Sequence, residues 1–123
     1  MRARPALLVA EAEPDGALST RKLVLETAKF NVLTAHSAEE ARDILHHHTR
    51  GLDALVITST LGPENDCVEV AKVYKEEKPG SPVIYLSPSG NLDCRWTDHQ
   101  LSTFEPEKLL QLVRSLLGDP RSL

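Results

Sequence analysis

A chain of 123 residues, 41% hydrophobic and 26% charged, has the size and composition of one soluble globular domain, able to bury about two-thirds of its surface without a metal or disulfide staple. Its formal net charge of −4 and pI near 5.7 leave no electrostatic footprint for nucleic acid, and no apolar run approaches the ~20 residues that span a bilayer. The opening Met1-Arg2-Ala3-Arg4-Pro5 and the apolar Ala6–Ala10 are too short a core for a signal peptide, and Cys67 and Cys94 form no Cys-x-x-Cys pair. The expected compartment is cytoplasmic, with both thiols reduced.

Taken in order, Ala6-Leu7-Leu8-Val9-Ala10 reads as a first buried strand, broken by Glu11-Ala12-Glu13-Pro14-Asp15-Gly16. A helix is predicted from about Ala17 to Ala28, with Ala17, Val24, Leu25 and Ala28 inward. The stretch from Asn31 to Ala35 alternates in polarity, which suits a sheet edge. Ser37-Ala38-Glu39-Glu40 is a capping box, and the helix behind it should bury Ala41, Ile44 and Leu45. That helix closes on His46, His47 and His48, with Gly51 as its C-terminal cap.

Ala54-Leu55-Val56-Ile57-Thr58-Ser59 is the pivot: a solid apolar run that ends in hydroxyl residues, as expected of a central strand covered on both faces. A third helix is predicted from Glu64 to Glu77, with Cys67, Val70, Ala71 and Tyr74 on one face, and Val83-Ile84-Tyr85-Leu86 is a fourth strand. From Ser87 to His99 no helical stripe is present, so a full covering helix is not expected there. A short strand is predicted at Leu101–Phe104. A last helix opens at Glu105-Pro106, buries Leu109, Leu112, Val113, Leu116 and Leu117, and stops at Gly118, leaving a frayed tail over 118–123.

Strands alternating with helices at this spacing predict an α/β fold: a flavodoxin-like, doubly wound, five-stranded parallel sheet of order 2-1-3-4-5. One domain over 1–123 is expected, its core at about 5–117. In such a sheet the carboxyl ends of the strands border the functional crevice.

Four strings in order resemble the receiver domain of two-component response regulators over about residues 5 to 117. Leu7 to Asp15 is similar to the first strand and acidic loop of that family, and Leu52-Asp53-Ala54-Leu55-Val56-Ile57-Thr58 to its third strand. Ser81 to Ser87 is similar to its fourth strand, and Ser102-Thr103-Phe104-Glu105-Pro106 to the turn into its last helix. The resemblance implies a cytoplasmic, bacterial phosphorelay module; the family takes a phosphoryl group on an aspartate of its own with the help of Mg²⁺.

The family's chemistry departs at every position but one. Thr58 stands where the family has its phosphoacceptor aspartate, Glu11-Ala12 where it has an acidic pair, and Ser102-Thr103 where it has Lys-Pro; Ser87 keeps the family's hydroxyl. A hard cation needs the carboxylates that are missing, and a threonine hydroxyl with no base is a poor nucleophile. The corner Glu11, Thr58, Ser87 and Ser102 is therefore expected to be a degenerate phosphoacceptor pocket whose members hydrogen-bond one another. The chain reads as a pseudo-receiver: not an enzyme, with no cofactor and no metal. It is expected to bind a protein partner or itself, without contacting nucleic acid or membrane.

The candidate interaction surface is Leu92, Trp96, Leu101 and Phe104, with Leu92 and Trp96 folding over the sheet where a helix is missing. The three consecutive histidines point in different directions on a helix and so are not expected to converge on one ion. Cys67 is expected in the core. The alternative is a flavodoxin-like small-ligand binder or enzyme using Glu11, Thr58 and Ser87, against which stands the absence of a glycine-rich phosphate loop after the first strand.

Overall fold

The computed structural model describes residues 4–12, 19–88, 94–102 and 104–118. Five parallel strands form one sheet in the order β2-β1-β3-β4-β5: β1 Ala6–Ala10, β2 Asn31–Ala35, β3 Ala54–Thr58, β4 Val83–Leu86 and β5 His99–Leu101. Four helices cover it: α1 Thr20–Thr27, α2 Ala38–His48, α3 Glu64–Glu77 and α4 Pro106–Leu117. This is the expected architecture and strand order.

The sheet's period-two alternation splits the apolar residues between two cores. Leu8, Ala10, Leu55, Ile57, Val83 and Tyr85 face α2 and α3, whereas Leu7, Val9, Ala54, Val56, Ile84 and Leu86 face α1 and α4. Every residue of β3 is buried, as its unbroken apolar run requires of a strand covered on both sides. The edge strand β2 alternates between half-buried and exposed, and Leu33 faces solvent.

Two aspartates begin the ladder in the same way. Asp53 exchanges hydrogen bonds with the first residue of β1: its N–H donates to the Ala6 carbonyl at 2.7 Å, and its carboxylate accepts from the Ala6 N–H at 2.8 Å. Asp98 does so with Val83, at 2.9 and 2.8 Å, and its carboxylate also pairs with Lys75 at 2.7 Å. Each satisfies a strand-end donor that the ladder leaves unpaired.

Four details differ from the sequence reading. Helix α1 begins at Thr20, three residues later than predicted, because Ser19 caps it: its hydroxyl accepts from the Lys22 N–H at 3.2 Å. Strand β5 is His99–Leu101, not Leu101–Phe104, since Asp98 fixes the register two residues earlier. In α4 only Leu109 and Val113 are fully buried, and Leu112, Leu116 and Leu117 are partly so. Gly51 ends a 3-10 turn, Thr49–Gly51, instead of capping α2 directly. The Ser37 half of the capping box forms, its hydroxyl accepting from the Glu40 N–H at 3.0 Å.

Among the described residues between β4 and β5 there is no helix. Trp96 packs against the α2–α3 core there, with the Arg95 guanidinium 4.4 Å from its ring centroid. Leu92, predicted to share that place, lies outside the described residues, as do Ala17 and the tail 119–123.

Candidate functional site

Parallel register brings the ends of β1, β3 and β4 side by side. Ala10 pairs with Ile57 and Thr58 with Leu86, which sets Glu11, Thr58 and Ser87 at one rim of the sheet. All three are buried, Glu11 with only 1% of its surface exposed. Ser102 follows β5 on the same rim but is exposed.

An acidic residue at a strand end is ordinarily solvated or bound to nearby backbone donors; Glu11 is neither. Its Oε2 accepts from Arg21 Nε at 2.7 Å and lies 2.5 Å from Arg21 Nη2, so two guanidinium nitrogens converge on one carboxylate oxygen. Its Oε1 accepts from the Ser19 hydroxyl. The residue is pinned through its backbone too: its N–H donates to the Ala35 carbonyl at 2.9 Å, and its carbonyl accepts from His36 Nδ1 at 3.2 Å. Arg21 also donates from Nη1 to the Phe104 carbonyl at 3.4 Å and lies 5.2 Å from the centroid of the Phe104 ring.

Glu11 and Thr58 do not bond each other but pair with other residues. Thr58 Oγ1 bonds Thr60 Oγ1 at 2.6 Å, and Thr60 Oγ1 accepts from the Ala12 N–H at 3.2 Å, so Thr60 bridges β3 to the end of β1. The Ser87 N–H donates to the Leu101 carbonyl at 3.0 Å, and the Ser87 side chain hydrogen-bonds Tyr85. Burial, above all, pushes the Tyr85 phenol up from its usual range; nearby Cys67 acts in the same direction, and the bond to Ser87 opposes it. Tyr74 is likewise raised by burial.

Cys67 sits in the α2–α3 core beneath Thr58, its thiol directed at the Thr58 carbonyl 3.8 Å away. Burial, followed by the Asp66 and Glu64 carboxylates, lifts its pKa from 9.0 to about 11, so at neutral pH it is a protonated core thiol.

Sequence reasoning missed Ser19, Arg21 and Thr60. The signal for the first was present: a serine just before the helical run is an N-cap, and Arg21 then falls in the first turn, facing the strand end. Trp96, Leu101 and Phe104, grouped in the sequence as one surface, are divided between the two sides of the sheet. Trp96 packs on the α2–α3 side, and Leu101 and Phe104 pack on the α1–α4 side.

A divalent cation does not fit this donor set. Mg²⁺ demands near-octahedral oxygen ligands, one or two of them carboxylates. Among the described residues the corner supplies one carboxylate, with both oxygens engaged and a guanidinium already against it. No cluster of His, Cys, Asp and Glu suited to a metal occurs among the described residues, and the exposed His47 lies 3.8 Å from Asp43 one turn earlier. An open depression of about 1170 Å³ lies along α2 and the end of α3, lined by residues such as Asp43, His46 and Glu77, and none of Glu11, Thr58 and Ser87 lines it. Among the described residues no helix is long and apolar enough to cross a membrane.

No protein-family model matches the chain. It is 30% identical over 121 residues to the response regulator Rre1 of Synechocystis, covering 91% of this chain and 51% of that protein, so the chain spans about half the length of the curated relative it matches. A CheY-like response regulator receiver domain from Methanospirillum hungatei superposes with a TM-score of 0.78 at 16% identity, over 98% of each chain. The receiver domain of a sensor histidine kinase from Pseudomonas aeruginosa, solved with a magnesium ion in its active-site cleft, superposes with a TM-score of 0.74 at 16% identity, over 94% of this chain and 99% of that one. By fold, then, the chain is a receiver-type α/β domain, similar over most of its length to part of a response regulator.

Proposed function

We propose that the chain is a pseudo-receiver: a cytoplasmic signalling module of a bacterial two-component system that works by protein–protein contact without being phosphorylated. The observation that carries this reading is the state of Glu11, whose carboxylate is buried and saturated by Arg21 and Ser19. Phosphoryl transfer needs a cation to neutralise developing charge and an acceptor able to attack. Here the one described carboxylate of the corner is neutralised from within the chain. The residue at the acceptor position is a threonine whose hydroxyl is held by Thr60. A hydroxyl without an adjacent general base does not become a nucleophile at neutral pH.

With the phosphoacceptor chemistry gone, the rest of the scaffold remains a folded surface for recognition. The chain is neither an enzyme nor a nucleic-acid binder on this reading, and its partner is a protein or a second copy of itself. Of the residues named for that surface, Trp96 presents one side of the sheet, and Leu101 and Phe104 the other. Ser102 lies exposed between β5 and α4.

The test is incubation with acetyl phosphate or phosphoramidate and Mg²⁺, followed by intact-mass measurement. No adduct is expected at any donor concentration. A stoichiometric phosphoryl adduct on Thr58, Ser87 or any other residue would reject the proposal.

A further inference from the structure

We infer that Arg21 is the resident cation of the strand-end corner and that it acts as a staple, holding the connection between β5 and α4 against α1. This builds on the reading of a corner that has lost its metal chemistry and adds what took its place. Three contacts carry it, all from one guanidinium. Nε and Nη2 engage Glu11 Oε2 at 2.7 and 2.5 Å, Nη1 donates to the Phe104 carbonyl at 3.4 Å, and the group lies over the Phe104 ring.

Those contacts link segments distant in the chain: Arg21 to Glu11 spans 10 residues, and Arg21 to Phe104 spans 83. The Ser19 hydroxyl closes the arrangement by donating to Glu11 Oε1 while accepting from the Lys22 N–H, so that α1's own cap depends on the same carboxylate. Phe104 sits two residues ahead of α4, and its carbonyl has no place in the helix ladder, which leaves it open to an external donor. A planar fork can serve a carboxylate with two N–H groups and a carbonyl with a third; an ammonium on a flexible stem cannot hold both in fixed geometry.

The consequence is a fixed position for Phe104, just ahead of α4. In a domain whose corner binds a cation and a phosphoryl group, occupancy from solution can reset such a connection. Here the charge comes from α1 and is covalently present at all times. Release therefore requires breaking the Arg21–Glu11 pair, which only a change in the chain or a partner competing for Arg21 can do.

The test is hydrogen–deuterium exchange on the intact chain, comparing wild type with Arg21→Ala, Arg21→Lys and Glu11→Gln, with Leu23→Ala as an exposed control on the same helix. Peptides over residues 101–109 should exchange at least about tenfold faster in all three site variants, while the α2–α3 region, 38–77, keeps its wild-type rate. Should Arg21→Ala fail to fold, Arg21→Lys, which retains a charge beside Glu11, carries the same expectation. Unchanged exchange at 101–109, or an equal acceleration everywhere, would overturn the staple. A second readout is Mn²⁺ added to the wild-type chain and followed by NMR line broadening: none is expected at residues 10–12 and 57–60, and selective broadening there would overturn the assignment of Arg21 as the resident cation. Phosphorylation by a small donor would refute the proposed function, yet leave the exchange pattern to decide this inference separately.

Discussion

At the scale of single residues, the balance at the corner rests on an asymmetry between two charges. Glu11 is 1% exposed and Arg21 17%, so the two halves of the pair are not equally committed to the interior. Arg21→Ala leaves a buried carboxylate without its charge partner and should cost about 3 kcal/mol in urea denaturation. Glu11→Gln should cost less, about 1–2 kcal/mol, because the freed guanidinium can extend toward solvent. The reverse order would show that Glu11 is solvated in the folded state. Lys29 offers an independent check. It has φ 78° directly after α1, where the Lys29 and Phe30 N–H groups bond the Glu26 and Leu25 carbonyls in a Schellman arrangement. Lys29→Gly should therefore stabilise the chain by about 0.5–1 kcal/mol in the same assay, by removing the side-chain penalty of the left-handed region.

Cys67 sets an alkaline limit. Its thiol is held protonated in the folded state, with a pKa of about 11, against 9.0 for an unhindered thiol. Below pH 9 both folded and unfolded chains keep the proton, and stability is unaffected. Between about pH 9 and 11 the unfolded chain releases it first, so stability falls by about 2–3 kcal/mol across that window. Tyr74 and Tyr85, both raised above 10.0, add to the loss at its upper end. Cys67→Ala should flatten the decline in urea midpoints measured from pH 8 to 11, and an equally steep decline in the variant would contradict the assignment. At neutral pH, iodoacetamide should label the half-buried Cys94 well before Cys67.

At the scale of elements, the described segment entering β5 is held by side-chain bonds. Asp98 carries the register of the last strand pair, accepting from the Val83 N–H and from Lys75, which itself donates to the Pro79 and Ser81 carbonyls. Asp98→Ala removes both of its acceptor roles and should lower stability by about 1–2 kcal/mol, with exchange quickening first at Val83 and along β5. A variant as stable as wild type would mean that the short strand is held by Trp96 packing alone. This element also shows where pattern reading fails. A three-residue strand has too few positions for alternation to define, and its placement was decided by an aspartate bonding a residue 15 positions away, which no local periodicity records. Helix α1 was misplaced for a different reason: its start is fixed by the Ser19 cap, whereas the pattern of inward residues extends back to Ala17.

At the scale of the whole molecule, the strand order and the two-sided core were legible because they follow from hydrophobic pattern: the solid runs of β1, β3 and β4, and the alternation of β2. The rim holding Glu11, Thr58 and Ser87 was legible too, since parallel topology alone aligns strand ends. The partners of those residues were not. Ser19, Arg21 and Thr60 come from the cap of α1, its first turn and the 3-10 turn Ser59–Leu61 after β3, where side-chain direction is settled only by the folded chain. The residue types at the corner could be read one by one, but the partners they bond could not.

The central claim is that this fold persists with its strand-end corner closed by an arginine and unable to accept a phosphoryl group. Intact-mass spectrometry after prolonged incubation with acetyl phosphate and Mg²⁺ tests it most directly. The account predicts a single unmodified species, identical to the untreated chain; a species heavier by one phosphoryl group would contradict it.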